Sequence, residues 1–158
     1  MKTANDVSYF TYETPIGPLT IVCEKDAIIK IDFGEVTELG IHKPSVLSNQ
    51  TANELLQYLS GKSHIFTVPV RIQGSDFQQL VLQAIQDIPY GQTRTYSAIA
   101  KTIGHPNASR AVGTALAKNP IPIILPCHRV IPASGGVGSY KGGTKIKKWL
   151  LNLEHTNS

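Results

Sequence analysis

The residues best suited to chemistry in this 158-residue chain stand together in Pro126-Cys127-His128-Arg129-Val130. A thiolate is the strongest side-chain nucleophile, but at its ordinary pKa few thiols are ionised at neutral pH. A neighbouring base and positive charge both favour ionisation, and His128 and Arg129 offer one of each. A base needs a further group to orient it, and Glu154 is the only carboxylate after residue 90. A Cys-His dipeptide also fits a buried cysteine in a β-like turn, with His and Arg at the surface. The flanking residues favour the reactive reading. Pro120, Pro122 and Pro126 stiffen an apolar approach to Cys127, and the glycines of residues 134–143 form a loop that can lie close to a flat ligand, with Tyr140 inside it to stack or donate a hydrogen bond.

The elements around this motif are helical. Ser75 is a suitable N-cap for a helix over Asp76–Ile88, where Phe77, Leu80, Val81, Ala84, Ile85 and Ile88 form one apolar stripe. A short helix over Tyr96–Ile103 stops at Gly104, and another runs from about Ala108 to Lys118. Prolines then keep Asn119–Pro122 extended. A last helix covers Thr144–Glu154, with Ile146, Trp149, Leu150 and Leu153 towards the core. Earlier residues read as sheet: Ser8–Glu13, Leu19–Cys23 and Ala27–Phe33, then a helix over Thr51–Ser60 and a strand over His64–Ile72. The expected fold is α+β. A small α/β lobe with an antiparallel sheet spans residues 1–72, and a mainly helical lobe with a winged-helix-like helix-turn-helix spans residues 73–158.

Charge divides the chain in the same way. Residues 1–90 carry six Lys and Arg against ten Asp and Glu, whereas residues 91–158 carry nine against one. A basic half suits a polyanionic partner, and it equally suits a solvated basic surface. The paired short helices narrow the choice. Tyr96–Ile103 and Ala108–Lys118 have the layout of a helix-turn-helix, whose second helix can enter a DNA groove. Arg110 opens that second helix and small residues follow, Ala111 and Gly113 among them. Small residues allow close approach to a sugar-phosphate wall, and also to another helix. A major-groove reader carries several polar side chains on this face. One Arg among small apolar residues instead suggests minor-groove or shape-based contact with double-stranded DNA.

With these motifs together, the sequence resembles the methylated-DNA–protein-cysteine methyltransferases, also called O6-alkylguanine-DNA alkyltransferases. The resemblance rests on Pro126-Cys127-His128-Arg129-Val130, Asn119-Pro120, Arg110-Ala111-Val112-Gly113, Gly138-Ser139-Tyr140 with Gly142-Gly143, and Trp149-Leu150-Leu151 leading to Glu154. It is dense from about Phe77 to Glu154 and fainter over residues 8–72. It implies a single-turnover repair reaction, in which an alkyl group moves from O6 of guanine (or O4 of thymine) to Cys127 after the base is flipped out. It implies that His128, acting through a water and oriented by Glu154, draws off the thiol proton. Asn119 then holds the turn between recognition helix and active-site segment. Tyr96 sits at the target phosphate and protonates the departing guanine, and Arg110 fills the gap in the base stack. Backbone groups of Cys127, Val130 and Lys141, with Tyr140 and the wall residue Pro122, line the guanine pocket, and Arg129 lies among the residues facing substrate and DNA. No cofactor is implied. Some members hold a structural zinc in the first lobe, but Cys23, His42 and His64 here do not suggest that site, and no metal is expected. The expected protein is a cytoplasmic monomer with no membrane segment.

Two rivals from other classes are a damage-recognition module without chemistry and a Cys-His-Glu hydrolase with turnover. Cys127, His128 and Glu154 argue against the first, and the helix-turn-helix and basic half against the second. Elsewhere, Cys23 reads as a small buried hydrophobe, and His42, His64, His105 and His155 as surface or capping residues. Lys145, Lys147 and Lys148 read either as phosphate contacts or as the solvated face of the last helix, and Trp149 as core.

Overall fold

A computed structural model describes residues 6–158, which divide into two compact units between Ile72 and Gln73. In the first unit, strands β1 (Val7–Tyr12), β2 (Leu19–Glu24), β3 (Ala27–Phe33) and β4 (Ile41–His42) form one sheet of order β3-β2-β1-β4. β1 pairs antiparallel with β2 and β2 with β3, while the short edge strand β4 runs parallel to β1. Leu19, Ile21, Ile28 and Ile31 are fully buried with Leu55 and Tyr58 of helix α1 (Val46–Leu59), while Val7, Tyr9 and Val22 form a second apolar cluster. Complete burial of a side chain such as Leu55 is worth about 1.5–3 kcal/mol.

α1 starts five residues before the position expected from apolar spacing. Its true start is set by capping: Ser45 accepts from Ser48 N–H, and Ser48 Oγ accepts from Ser45 N–H. The first turn carries no apolar signal, because Val46 faces solvent and the inward residue is Ser48. The strand expected over His64–Ile72 is absent. Only Val70 bridges to Ile28. Pro69 has no N–H to continue a ladder, and the N–H groups of Thr67 and Val68 turn instead to the Glu54 carboxylate.

The second unit packs three helices together: α2 (Asp76–Ile85), α3 (Tyr96–Thr102) and α4 (Ser109–Ala117). Ser75 caps α2 by accepting from Gln78 N–H. α2 ends at Ile85, and a tighter turn carries the chain to Ile88. Its buried face is Val81, Leu82 and Ile85, whereas Leu80, expected in the stripe, is 39% exposed. Strand β5 (Arg94–Thr95) pairs in parallel with β6 (Val130–Ile131), and helix α5 (Thr144–Asn157) packs against the turn that holds Cys127. Among the described residues no helix is long and apolar enough to cross a membrane.

Candidate active site

The route from α4 to Cys127 is fixed at nearly every residue. Asn119 is wholly buried. Its Oδ1 accepts from Ile121 N–H at 2.9 Å, and its Nδ2 donates to the Leu125 carbonyl at 2.9 Å. Leu125 N–H closes the same loop onto the Ile121 carbonyl. At its tip Ile123 has φ 75°, a left-handed conformation that a β-branched residue adopts only under constraint from its surroundings. Pro126, at φ −80° and ψ 61°, makes an inverse γ-turn in which Cys127 N–H donates to the Leu125 carbonyl at 2.8 Å. Residues Cys127–Arg129 then form one 3-10 turn. β6 leaves that turn and pairs with β5, whose Thr95 caps α3 by accepting from Ala98 N–H. The cysteine turn is thereby tied to both helices of the helix-turn-helix.

The Cys127 thiol is 4% exposed. Burial pushes its pKa up to about 11, against an Asn119 hydrogen bond and the charges of Lys147 and Lys141, which favour the thiolate. The resting side chain is therefore a thiol. His128 is completely buried, with Nε2 2.8 Å from Glu154 Oε2. Burial lowers the imidazole pKa, even though the carboxylate beside it acts in the opposite direction. Glu154, at 1% exposure, also accepts from Gly91 N–H at 3.1 Å and twice from Arg129. A carboxylate with three such donors is ionised, so His128 Nε2 carries the proton and the neutral ring has its lone pair on Nδ1.

Arg129 departs from expectation. Its guanidinium points inward to Glu154 and the Ile88 carbonyl and is 8% exposed, so it is not a DNA-facing side chain. A fork of fixed donors beside a buried carboxylate is satisfied there and not in water.

Lys147 was missed as a site residue and is the main addition. It is 1% exposed, and its Nζ donates to the Val130 carbonyl at 2.7 Å, the Ser139 carbonyl at 3.3 Å and the Tyr96 hydroxyl at 3.5 Å. Burial draws its pKa down to about 8, opposed by Cys127. The run Lys145, Lys147, Lys148 looks like one surface cluster, but only Lys145 and Lys148 are exposed. The buried face of α5 is Lys147, Leu150 and Glu154, while Trp149, expected in the core, is 38% exposed. Counting back from Glu154 by four and seven residues would have found this face.

Tyr96, the first residue of α3, lines an open cavity of ≈ 500 Å³ with Arg110, Gly113, Pro132, Gly138 and Ser139. Burial raises its hydroxyl pKa, and the proximity of Cys127 adds to the effect. A methyl on Gly113 would stand 3.8 Å from the Tyr96 ring, so the small residue serves the contact between the two helices as well as the cavity. Arg110 and Ala111 are exposed on α4, which receives no side-chain cap from Ala108. Pro122 and Val130 are buried, Tyr140 is 8% exposed, and Lys141 Nζ donates to the Asn119 carbonyl at 3.4 Å. Cys23 is buried, and His42, His64, His105 and His155 are all exposed.

Comparison with known proteins agrees with this geometry. The family model of the 6-O-methylguanine DNA methyltransferase ribonuclease-like domain matches residues 7–72, and that of the DNA binding domain matches residues 76–156. The methylated-DNA–protein-cysteine methyltransferase of Methanosarcina acetivorans is 40% identical over 152 residues, covering 92% of this chain and 97% of the relative. The constitutive enzyme of that name in Bacillus subtilis is 39% identical over 155 residues, covering 92% and 94%. The crystal structure of Mycobacterium tuberculosis OGT in complex with DNA superposes with a TM-score of 0.90 at 41% identity, covering 96% of this chain and 94% of the other. With both units matched and the likeness extending over nearly the whole chain, the protein belongs to the 6-O-methylguanine DNA methyltransferase family.

Proposed function

We propose that the chain repairs DNA by direct reversal, moving an alkyl group from O6 of guanine, or O4 of thymine, to Cys127. The sulfur–carbon bond forms as the carbon–oxygen bond breaks, the guanine leaves with a proton, and the thioether stays on the protein. Water does not displace a thioether, so each molecule acts once and needs no cofactor. The observation that carries this reading is the buried Glu154–His128 pair beside a buried thiol, on a turn anchored to a helix-turn-helix.

The groups divide the work according to their protonation. With a resting pKa of about 11, Cys127 reacts only when its proton is removed during the attack. His128, neutral and with its lone pair on Nδ1, accepts that proton through a water. Tyr96 keeps its own proton at neutral pH and stands at the cavity, where it protonates the leaving guanine. Lys147, donating to the Tyr96 hydroxyl, stabilises negative charge that develops there. The alkylated nucleotide rotates out of the duplex into the cavity. Arg110, exposed at its rim, enters the minor groove in the nucleotide's place, and the small exposed residues of α4 let the helix lie close to the backbone. Tyr140 and backbone groups of Val130 and Lys141 hold the guanine. The protein acts as a monomer in the cytoplasm.

The test is peptide mass spectrometry after mixing equimolar protein with a duplex containing one O6-methylguanine. One methyl on the Cys127 peptide, and no further repair on adding substrate, is the expected result. Cys127→Ala should keep DNA binding and lose transfer. An unmodified Cys127 with an intact lesion would make this a recognition module, and multiple turnovers would make it a different enzyme.

A further inference from the structure

Arg129 lies inside the reactive motif but turns its back on the cavity. Its Nε donates to Glu154 Oε1 at 2.8 Å, its Nη2 to Glu154 Oε2 at 2.9 Å, and its Nη1 to the Ile88 carbonyl at 2.8 Å. The Tyr90 ring lies 5.7 Å from the guanidinium carbon. The carboxylate is thus held between a guanidinium fork and the His128 imidazole, with Oε2 shared by both.

We infer that Arg129 is a positioning residue that keeps His128 neutral, by taking up the Glu154 charge that would otherwise hold the imidazole as an imidazolium. The inference rests on the proposed role of His128 as the base. A buried carboxylate 2.8 Å from a buried imidazole, with no other cation, leaves a net negative charge out of water unless the ring takes a proton. An imidazolium cannot accept the Cys127 proton. With the fork in place the carboxylate is already neutralised, and protonating the ring would add an uncompensated positive charge. The groups packed around His128 act in both directions. Glu154 and Lys147 come from α5 and Arg129 from its own turn, while the Ile88 carbonyl and the Tyr90 ring, from the segment after α2, meet the Arg129 guanidinium. Burial of the ring opposes the imidazolium most; of the charged groups Glu154 favours it, and Arg129 and Lys147 oppose it. The fork also fixes the carboxylate plane, so that Oε2 meets Nε2 and the lone pair stays on Nδ1.

The test is long-range proton–nitrogen NMR of the His128 ring in the full chain, from about pH 5.5 to 9, with single-turnover methyl transfer over the same range. The wild type should show a neutral ring with its proton on Nε2, and a transfer rate flat across neutral pH. Arg129→Met should give an imidazolium at pH 7. Its transfer should be slower by about tenfold or more at that pH and recover as pH rises and the ring loses its proton. Arg129→Gln removes the charge but keeps a donor for Glu154, and serves as the second neutral variant should Arg129→Met not fold. Arg129→Lys keeps the charge and should keep the ring neutral. A neutral ring in either neutral variant overturns the inference, even if Cys127 is still methylated and the proposed function stands. If the wild type transfers no methyl, the proposed function fails, while the NMR still reads the charge balance.

Discussion

Replacing Asn119 with Ala tests whether the loop before Cys127 is held by that one side chain. The substitution removes the acceptor for Ile121 N–H and the donor to the Leu125 carbonyl, both 2.9 Å bonds in a place with no solvent exposure. Each orphaned buried group costs about 1–3 kcal/mol, so the loss is about 2–6 kcal/mol. That is a large share of a domain stability of about 5–15 kcal/mol. The thiolate also loses an Asn119 hydrogen bond, so transfer from the surviving folded protein should slow. Urea unfolding followed by Trp149 fluorescence is the assay, because the sole tryptophan lies on α5 in the second unit. The midpoint should fall with an unchanged denaturant slope. A loss below about 1 kcal/mol, with the slope unchanged, would refute the reasoning. It would mean that the three prolines and the Leu125–Ile121 bond are enough to hold the loop, or that water replaces the amide.

Other predictions concern the cavity, a buried cation and a cap. Gly138→Ala must take φ 77° and place its methyl 2.7 Å from the Tyr96 hydroxyl and 3.2 Å from Pro132. Single-turnover assays should show transfer slowed by about tenfold or more, through displaced Tyr96, with less effect on DNA affinity. Lys147 has a folded pKa of about 8 against 10.5 in a free chain, so the unfolded state binds more protons and stability rises with pH from about 8. Cys127 acts in reverse above pH 9, since its thiol keeps the proton to about 11. Urea midpoints should therefore rise between about pH 7.5 and 9, and that rise should vanish in Lys147→Met. Ser45→Ala removes the acceptor for Ser48 N–H, the side-chain half of the α1 capping box, and should cost about 0.5–2 kcal/mol in the first unit, read by calorimetry.

The cysteine turn and its buried partners were legible because their signals are local or unique. Cys127 and His128 are adjacent, the prolines around them stiffen the backbone, and Glu154 has no competing carboxylate after residue 90. The three sheet strands and the two short helices were legible from alternation, capping and breakers. Lys147 was not, because a buried lysine reads as a charge and charges are placed outside. Only knowledge that Glu154 faces inward turns the spacing into a buried face. Trp149 failed for the converse reason, since its size suggests the core while its helical phase puts it outside. Arg129 was assigned the right neighbourhood and the wrong direction. Composition cannot distinguish an arginine facing phosphate from one facing a carboxylate. The strand expected over His64–Ile72 had apolar residues of the right type, but a single proline and one glutamate redirected its backbone donors.

The carboxylate that orients His128 comes from a helix 26 residues further along the chain. Synthesis runs from the N-terminus at about 5–20 residues per second, so Cys127 is made roughly one to five seconds before Glu154. During that interval α5 does not exist. The thiol then has neither Lys147 nor the Glu154–His128 pair beside it, and it reacts as any exposed thiol of ordinary pKa. Any product that stops before α5 therefore carries Cys127 without the buried pair and the lysine that surround it in the finished chain.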